Sequence, residues 1–471
     1  MVTHGVNASE QATSVVTPVV AESGVPFVVG TAPIQSAESP AAINVPVLCT
    51  DWDEAVAAFG YSDDWEKYSL CEAMYSHFKL FACQPIILCN VLGTTSKETV
   101  AADDIAVSEH KALLPIEAIN DNTLVVKKAG GATELEKDTD YAVYYEGENL
   151  IVELLADGAD YAATQLNIAY SKVKPAEIDK DEIVAAIEKV ELCLTKVGIV
   201  PDLMLAPGWS HDSEVAAVLA AKSENINGLF KAKVLVDIDS SANGATVYTD
   251  VLAKKNAANI TDSTEGAYWP MLKLGDKKFH MSTQMAGLMA SVDADNEGCP
   301  YESPSNKNLK CDGLCLADGT EVDLTITQAN YLNEIGVSTA INFVNGWVAW
   351  GNYTACYPAN ADVKDYFMCV SRMFKWVDNT LVKTFWKNVD DPMNPRLVDS
   401  VLDSANIWMN GLVGRGFLLG ARVEKLEKEN PLTDVMAGKI RLHVYMTPPS
   451  PAQEIDFITE YDASYVSSVL G

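Results

Sequence analysis

The most chemically suggestive stretch of the sequence is Trp209-Ser210-His211-Asp212, which places a hydroxyl, an imidazole and a carboxylate in consecutive positions. These are the residue types of a hydrolytic triad, in which a base activates a nucleophilic serine and an acid orients the base. Consecutive residues rarely converge on one point, because their side chains leave a short backbone in different directions. We therefore interpret Ser210 or Asp212 as the cap of a helix and not as part of a catalytic centre.

Histidines and glycine-rich turns provide no second candidate. The six histidines form no HxxxH or HExxH pair, the usual spacing in a zinc hydrolase. Gly93–Lys97 lacks the spacing of a phosphate-binding loop. Gly414–Gly420 has the pattern GxGxxxG and follows a predicted helix, whereas a dinucleotide-binding site has GxGxxG after a strand. The sequence therefore predicts no catalytic, cofactor-binding or metal-binding residues. An α/β hydrolytic enzyme stays open as an alternative that a convergent site in a cleft would favour.

The ten cysteines form no CxxC pair, and most lie in apolar surroundings such as Phe81-Ala82-Cys83. This pattern is typical of buried, reduced thiols in a cytosolic product. Cys311 and Cys315 flank Asp312-Gly313-Leu314, so a disulfide or a metal there stays open. No histidine or second cysteine pair completes such a site.

The charge of the chain argues against two classes of partner. The 471 residues include 34 Lys and Arg and 65 Asp and Glu, a formal net charge of −31. Such a chain repels nucleic-acid phosphates and anionic lipids, which bind clustered basic residues. No run of the chain approaches the roughly 20 apolar residues of a membrane span. A secretory signal begins with a basic stretch, but the first Lys or Arg of this sequence is Lys67. We expect neither direct nucleic-acid binding, nor membrane insertion, nor a secretory signal.

Alternating strand-like and helix-like segments predict an α/β core. Val25–Gly30 and Pro85–Leu92 are apolar runs of the kind found in buried strands. The alternation resumes at about residue 176 and continues through Asp202–Gly208 and Lys233–Ile238. This order favours a mainly parallel sheet flanked by helices.

Between the two halves of this pattern, residues 97–175 change character and predict an inserted all-β domain. Tyr141–Tyr145 and Leu150–Leu154 alternate on either side of Glu146-Gly147-Glu148-Asn149, which indicates a hairpin.

The segment from about residue 355 predicts an α+β C-terminal domain. Val363–Val377, Leu381–Lys387 and Arg396–Leu412 carry apolar residues at helical spacing, and apolar residues alternate along Ile440–Met446.

Both ends of the chain have the character of extended arms. Thr13–Val20 is rich in β-branched residues but has no partner strand nearby, and Glu454–Tyr461 follows the prolines of Pro448–Pro451. Such segments suit addition of a strand to a neighbouring subunit. The predicted organisation is an N-terminal arm (1–24), a first core part (25–96), an inserted β-rich domain (97–175), a second core part (176–354), the C-terminal domain (355–450) and a C-terminal arm (451–471).

Several ordered motifs resemble those of tail sheath proteins from contractile phages, including P2-like phages, and from R-type bacteriocins. Pro207–Ser210 after a strand looks like part of the family's subtilisin-like sheath domain, and Tyr301–Lys307 resembles its SPSN segment. Leu332–Thr339 and Asn345–Thr354 resemble its LN..GI and G..LWG.RT segments. Tyr353 stands where the last motif usually has arginine, so a specific role for that position is not carried over. The subtilisin-like topology does not bring protease activity with it.

The resemblance implies a structural polymer subunit whose inserted domain is an outer one. Sheath subunits form six-fold helical layers around an inner tube, exchange terminal strands with adjacent copies, and contract to drive the tube through a target envelope. The implied partners are other copies, the inner tube protein, and baseplate and tail terminator proteins. The implied location is a virion tail or a headless contractile particle assembled in the bacterial cytoplasm. Another self-assembling tube or shell protein is the second alternative.

On this reading, the functional residues lie in the arms and the C-terminal domain. The expected intersubunit arm contacts are Val15, Val16, Val19 and Val20 at the N-terminus, a receiving strand with Ile440, Leu442 and Val444, and a C-terminal strand with Ile455, Phe457, Thr459 and Tyr461. The candidate tube contacts are the rare basic residues Lys375, Lys383, Lys387 and Arg396, for which ordinary helix-surface solvation is the alternative.

Overall fold

The computed structural model of the chain describes residues 16–131 and 133–470, in which strands and helices alternate over most of the length. The strands are β1 (Pro26–Gly30), β2 (Val47–Cys49), β3 (Ile86–Asn90), β4 (Lys97–Ser108), β5 (Lys111–Pro115), β6 (Val125–Lys128), β7 (Tyr141–Glu146), β8 (Asn149–Leu154), β9 (Gln165–Val173), β10 (Leu203–Leu205), β11 (Lys233–Asp237), β12 (Glu265–Tyr268), β13 (Met271–Leu274), β14 (Lys277–Phe279), β15 (Gly313–Cys315), β16 (Val337–Phe343), β17 (Gly346–Trp350), β18 (Gly420–Glu424) and β19 (His443–Thr447). The helices are α1 (Trp52–Phe59), α2 (Ser69–Met74), α3 (Lys180–Ile187), α4 (Cys193–Val197), α5 (Ser213–Ser223), α6 (Val251–Ala257), α7 (Met281–Asp295), α8 (Ile326–Glu334), α9 (Val363–Tyr366), α10 (Met368–Phe385), α11 (Pro395–Gly414) and α12 (Leu432–Met436).

The core of the chain is a large mixed sheet with the order β17-β16-β12-β11-β10-β1-β3-β2. Its inner strands run parallel, and β2 and β17 join antiparallel at the two edges. The prediction of a mainly parallel sheet is therefore confirmed. Strands β1, β3 and β11 are buried along their whole length. Strands covered on both faces read as continuous apolar runs, which is why they could be recognised in the sequence.

Alternate residues of these strands enter two separate apolar cores, because successive side chains of a strand point to opposite faces. Val28 and Leu235 pack with residues of α2 and α7 on one face. Phe27 and Val236 pack with residues of α3 and α5 on the other. Each fully buried aliphatic side chain contributes about 1.5–3 kcal/mol.

The outer edge of β17 is covered by the segment that precedes β15. The backbone N–H of Asn306 donates to the carbonyl of Ala349 (2.6 Å), and the N–H of Ala349 donates to the carbonyl of Lys307 (3.0 Å). This pairing occupies main-chain groups that would otherwise form an open sheet edge. The stretch that resembles the SPSN motif therefore lies where it closes one end of the core sheet.

A second sheet, built from β4 to β9, is entirely antiparallel and has the order β6-β9-β4-β5-β8-β7. The predicted hairpin is confirmed, since β7 pairs with β8 from Tyr141 opposite Leu154 to Glu146 opposite Asn149. The sheet has a core of its own, which includes Leu114, Val126, Leu150 and Ile168. The turn of this hairpin contacts the connection between α1 and α2. Glu148 in the turn accepts hydrogen bonds from Ser62 Oγ (2.6 Å) and Asp63 N (2.7 Å) in that connection.

The C-terminal part packs α10 and α11 against the hairpin of β18 and β19. The sequence predicted two helices where α10 is one continuous helix from Met368 to Phe385. The apolar spacing is interrupted at Asn379 and Thr380, but both side chains are used in packing. Asn379 bonds the backbone of Lys231 in both directions (2.9 and 2.8 Å), and Thr380 Oγ1 accepts from Ala21 N (3.0 Å). The helix continues because its polar residues have internal partners.

A buried ionic cluster joins α10 to three other segments. Arg372 is only 3% exposed and contacts Asp202 (2.7 Å) before β10 and Asp293 (2.5 Å) in α7. The hydroxyl of Ser23 donates to the same Asp293 carboxylate (2.5 Å), and Asp202 also accepts from the N–H of Val25 (2.7 Å). Burial opposes the charge of Arg372, but the two carboxylates outweigh it and hold the pKa of the guanidinium above its ordinary value.

We predict that Arg372→Ala lowers the free energy of unfolding by about 3–5 kcal/mol, because it leaves two carboxylates unpaired in the interior. Urea denaturation followed by circular dichroism measures the loss. Arg415→Ala is the matched control, since its ion pair with Glu297 is 43% and 67% exposed and is expected to change stability by less than about 1 kcal/mol. Equal effects of the two substitutions would contradict the assignment of Arg372 as a structural node.

Candidate assembly interface

The described start of the chain runs along one face of α10. Thr384 Oγ1 accepts from the N–H of Val19 (2.9 Å), and Thr380 Oγ1 accepts from the N–H of Ala21 (3.0 Å). Trp376 Nε1 donates to the carbonyl of Ala21 (2.9 Å). The three helix residues recur every four positions, so they lie on one face. The segment therefore runs antiparallel to α10, and its backbone is held by side chains and not by another strand.

The predicted N-terminal arm residues have different surroundings. Val15 lies outside the described residues. The N–H of Val16 donates to Ser404 Oγ in α11 (3.0 Å), whereas the side chains of Val19 and Val20 are 49% and 45% exposed. In this structure the arm from residue 16 lies on its own C-terminal helices with apolar side chains still exposed. Its contact with a neighbouring subunit stays a prediction.

The hairpin of β18 and β19 has one capped edge and one open edge. On the β18 side, the side-chain amide of Asn406 in α11 bonds both the N–H (2.8 Å) and the carbonyl (2.9 Å) of Val423. On the β19 side, no further strand pairs within residues 16–131 and 133–470. An isolated two-stranded ribbon is marginally stable, and here α11 supports it from one face. Strand β19 therefore offers main-chain groups to a partner.

The predicted receiving strand is partly wrong. Val444 lies in β19, but Ile440 and Leu442 precede the strand, which begins at His443. The reason is the neighbouring Asn430, whose side-chain amide bonds the N–H (2.7 Å) and carbonyl (2.9 Å) of Arg441. These bonds remove the backbone of residue 441 from the ladder.

The predicted C-terminal strand does not form in the isolated chain, and its pairing with a neighbouring subunit stays a prediction. Residues 454–461 form no helix or strand, and the side chains predicted to contact a neighbour are exposed: Ile455 by 70%, Phe457 by 88% and Tyr461 by 80%. Thr459 between them is exposed as well. A strand needs a hydrogen-bonding neighbour, and residues 454–461 pair with no other strand in the described part of the chain. Contiguous exposed apolar side chains are typical of an interaction surface.

The four basic residues proposed to contact a tube fall into two groups. Lys375 pairs with Glu224, and Lys383 pairs with Glu22 of the N-terminal segment at 2.5 Å. The side chains of these two lysines are 11% and 14% exposed, so internal carboxylates already use them. Lys387 and Arg396 are exposed and form no ion pair within the described residues. Of the four, these two are accessible to a partner, and their role stays a prediction.

The Ser210-His211-Asp212 stretch lies at the carboxyl end of β10, and its polar side chains have structural partners. Asp212 caps α5 by accepting from Glu214 N (2.8 Å) and Val215 N, as predicted for a helix start. Ser210 Oγ accepts from the N–H of Asp237 (3.0 Å), and His211 is exposed. The three side chains do not form a triad.

The structure brings together an acid–base pair that sequence reasoning missed. His280 Nδ1 lies 2.8 Å from the Glu72 carboxylate, which also accepts from the N–H of His280 (2.6 Å). Burial alone would lower the pKa of His280, but Glu72, supported by Asp237 and opposed by Lys278, raises it to about 9. No serine, threonine or cysteine among the described residues hydrogen-bonds this imidazole, whose partner is the Glu72 carboxylate.

Other sites of common chemistry are not formed by the described residues. All ten cysteines are free, so Cys311 and Cys315 are not joined by a disulfide. In the part of the chain that the structure covers, no three His, Cys, Asp or Glu side chains converge to hold a metal ion. No described helix combines the length and apolarity needed to cross a bilayer.

Comparison with known proteins identifies the relationship. No protein-family model matches the chain. The tail sheath protein of Burkholderia phage BcepMu is 24% identical over 99% of this chain and 98% of its own length. The tail sheath protein of Escherichia phage P2 is 24% identical over 58% of this chain and 67% of its own. The chain is a homologue of contractile tail sheath proteins.

Solved structures agree in fold. The helical sheath of the anti-feeding prophage in its contracted state aligns with a TM-score of 0.58 and 16% identity, covering 98% of this chain and all of that one. The contracted sheath of the extracellular contractile injection system PVC aligns with a TM-score of 0.58 and 14% identity, covering 98% and 99%. This sheath homologue therefore shares its mixed α/β fold with them over nearly its whole length.

We predict that the free energy of unfolding of this protein declines as the pH rises from about 6.5 towards 9. The pKa of His280 is raised on folding, so its stabilisation is complete below about pH 6.5 and is lost as the pH passes about 9. His280→Asn keeps a neutral donor to Glu72 and should remove this part of the pH dependence. Urea midpoints across the range measure it, and exposed His211→Asn is the control. An unchanged slope in the His280 variant would contradict the pairing.

Proposed function

We propose that this chain is the subunit of a contractile tail sheath. Copies would polymerise as a six-fold helical array around an inner tube, and a change in their packing would shorten the array and drive the tube through a target envelope. The core would act as a rigid, subtilisin-like sheath domain without catalytic activity and without a cofactor. Two packings of different energy, repeated over many subunits, supply the work without a nucleotide.

The observation that carries this proposal is the open edge of β19 together with the exposed segment 454–461, which pairs with no strand among the described residues. If the tail of one copy added as a strand to the β19 edge of another copy, the main-chain N–H and carbonyl groups of both segments would form hydrogen bonds. Main-chain hydrogen bonds would supply affinity, and Ile455, Phe457, Thr459 and Tyr461 would alternate onto one face. The described N-terminal segment, with Val19 and Val20 exposed, would contribute the second exchanged contact.

Charge supports pairing between the tail and the C-terminal hairpin of another copy. Glu454, Asp456, Glu460 and Asp462 make the tail acidic, without a basic residue between them. The stretch 415–441 around the hairpin carries six Lys and Arg and four Asp and Glu, in a chain whose net charge is −31. Its lysines at positions 425, 428 and 439 are exposed and form no ion pair within the described residues. Opposite charges at the rim steer association and set register.

The further partners follow from this role. The inner tube protein would meet the C-terminal part, with Lys387 and Arg396 as the accessible candidates and Lys375 and Lys383 as less accessible ones. Baseplate and terminator proteins would meet the two ends of the polymer. The particle would be a virion tail or a headless contractile device assembled in the bacterial cytoplasm.

We predict that the purified protein forms wide, striated tubes by electron microscopy, and that Ile455→Ser/Phe457→Ser raises the concentration needed for assembly at least about tenfold. Two exposed apolar side chains lose their buried contacts with a neighbour, at about 1.5 kcal/mol or more each. Leu113→Ser is the matched control, because Leu113 is 54% exposed but lies in the second sheet. Tubes that form equally well without the tail's apolar side chains would contradict the proposal.

A separate prediction concerns the N-terminal segment. The double variant Val19→Ser/Val20→Ser keeps the backbone hydrogen bonds to Thr380 and Thr384, so the thermal midpoint of the monomer should change little. Tube formation should weaken several-fold, because the two exposed apolar side chains are lost. Deletion of residues 1–20 is less specific, because it also removes bonds that hold α10. Sedimentation of polymer against monomer measures the effect, and normal tubes from the double variant would refute this role of the arm.

A further inference from the structure

After β19, the chain turns back into a groove at the edge of the core sheet. Residues 449–455 and residues of the stretch from Tyr301 to Lys307 line a space of about 970 Å³, together with Trp350 and Tyr353. The hydroxyl of Tyr353 donates to Gln453 Oε1 at 2.8 Å, across 100 residues of sequence. Tyr353 therefore ties the C-terminal linker to the body of the molecule by a side-chain hydrogen bond.

The ring of Tyr353 is held rigidly by other aromatic side chains. It stacks on Tyr357 with ring centroids 4.0 Å apart and an interplanar angle of 11°, and it lies 5.6 Å from both Tyr366 and Phe367. The backbone of Tyr353 also bridges to Phe367. A donor that is already fixed loses little conformational entropy when it forms its hydrogen bond. The hydroxyl thus offers a defined attachment point and not a mobile contact.

The attachment does not hide the tail. Beyond Gln453, Ile455 is 70% exposed, Phe457 88% and Ile458 95%. A contact that blocked assembly would have to cover these side chains, and this contact leaves them free. The Tyr353 bond therefore fixes where the tail leaves the body and in which direction, without reducing access to it.

We propose that Tyr353 is a positioning residue that clamps the C-terminal linker at Gln453 and aims the exposed tail at a second copy of this chain. This inference rests on the proposed sheath function for its partner. Without the clamp, the tether from the end of β19 at Thr447 to the first exchanged side chain at Ile455 would be 8 residues, and with the clamp the tether from Gln453 has 2. Because effective concentration falls as a flexible tether lengthens, the clamp raises it several-fold.

Tyr353→Phe tests the clamp, since it removes only the hydroxyl and keeps the stacked ring. A spin label on exposed Ala452→Cys reports linker mobility in dilute, unassembled protein, with the unsubstituted protein giving the background from native cysteines. We expect Tyr353→Phe to raise the ratio of mobile to docked linker about fivefold, as for loss of one neutral hydrogen bond. The thermal midpoint should be unchanged, and the concentration needed for tube formation should rise several-fold.

Two further variants separate the clamp from general effects. Tyr366→Phe changes the same aromatic cluster, and in the described residues its hydroxyl has no hydrogen-bond partner, so mobility at position 452 should stay as in the parent. Gln453→Ala should reproduce Tyr353→Phe, and the double variant should add nothing further. Equal mobility in the parent and Tyr353→Phe would overturn the clamp. A mobile linker with unchanged assembly would overturn its positioning role.

The two proposals fail in different ways. A parent protein that forms no tubes would refute the sheath function, and the mobility measurement on the monomer would still decide whether Tyr353 holds the linker. A parent that forms tubes while Tyr353→Phe matches it in both measurements would refute the clamp alone.

Discussion

The arrangement of this molecule depends on the buried charge of Arg372. A guanidinium that is 3% exposed needs its two carboxylates, and they come from different parts of the core, Asp202 before β10 and Asp293 in α7. Ser23 and Val25 bond to the same carboxylates, so the N-terminal segment enters the same cluster. Separation of any partner leaves an uncompensated buried charge, which is strongly destabilising. Helix α10 is thereby fixed to the core sheet, and the N-terminal segment is fixed to α10.

This fixation divides the chain into a rigid body and exposed ends. At the carboxyl edge of the sheet, where α/β enzymes usually bind ligands, polar side chains have structural partners: Asp212 caps α5, Ser210 bonds the backbone of Asp237, and Asp237 accepts from Ser282 N at 2.9 Å. Exposed apolar side chains lie instead in residues 455–461, and within the described residues β19 pairs with no strand other than β18. The chain thus presents apolar side chains and a strand edge at its surface.

The sequence predicted the elements that depend on local pattern. Buried strands β1, β3 and β11 are apolar runs, and the hairpin of β7 and β8 has alternating strands and a turn, so both were predictable. Contacts between distant residues were not. Lys375 and Lys383 looked like free surface cations, but Glu224 and Glu22 lie 151 and 361 residues away in sequence, and only the fold brings them together. The departure from the motif at Tyr353 only set aside the role of the usual arginine and did not indicate the partner of Tyr353, Gln453. Residues 454–461 form no strand in the isolated chain, and their pattern does not say whether a pairing neighbour lies in the same chain or in another copy.

Strand pairing is a mode of association well suited to so acidic a subunit. Copies of a chain with a net charge of −31 repel one another, and in about 0.1 M salt that repulsion is screened only beyond about 10 Å. Backbone N–H and carbonyl groups carry no net charge, so an exchanged strand gains affinity at close range without adding to the repulsion. The acidic tail would also meet the part of the chain where basic residues outnumber acidic ones. If the polymer changes its packing, the bodies can then rotate as units held by Arg372, while the short segments between the bodies and the paired strands absorb the motion. A linker anchored at Tyr353 places that flexible segment after Gln453, close to the paired strand, and keeps the rest of the chain with the body.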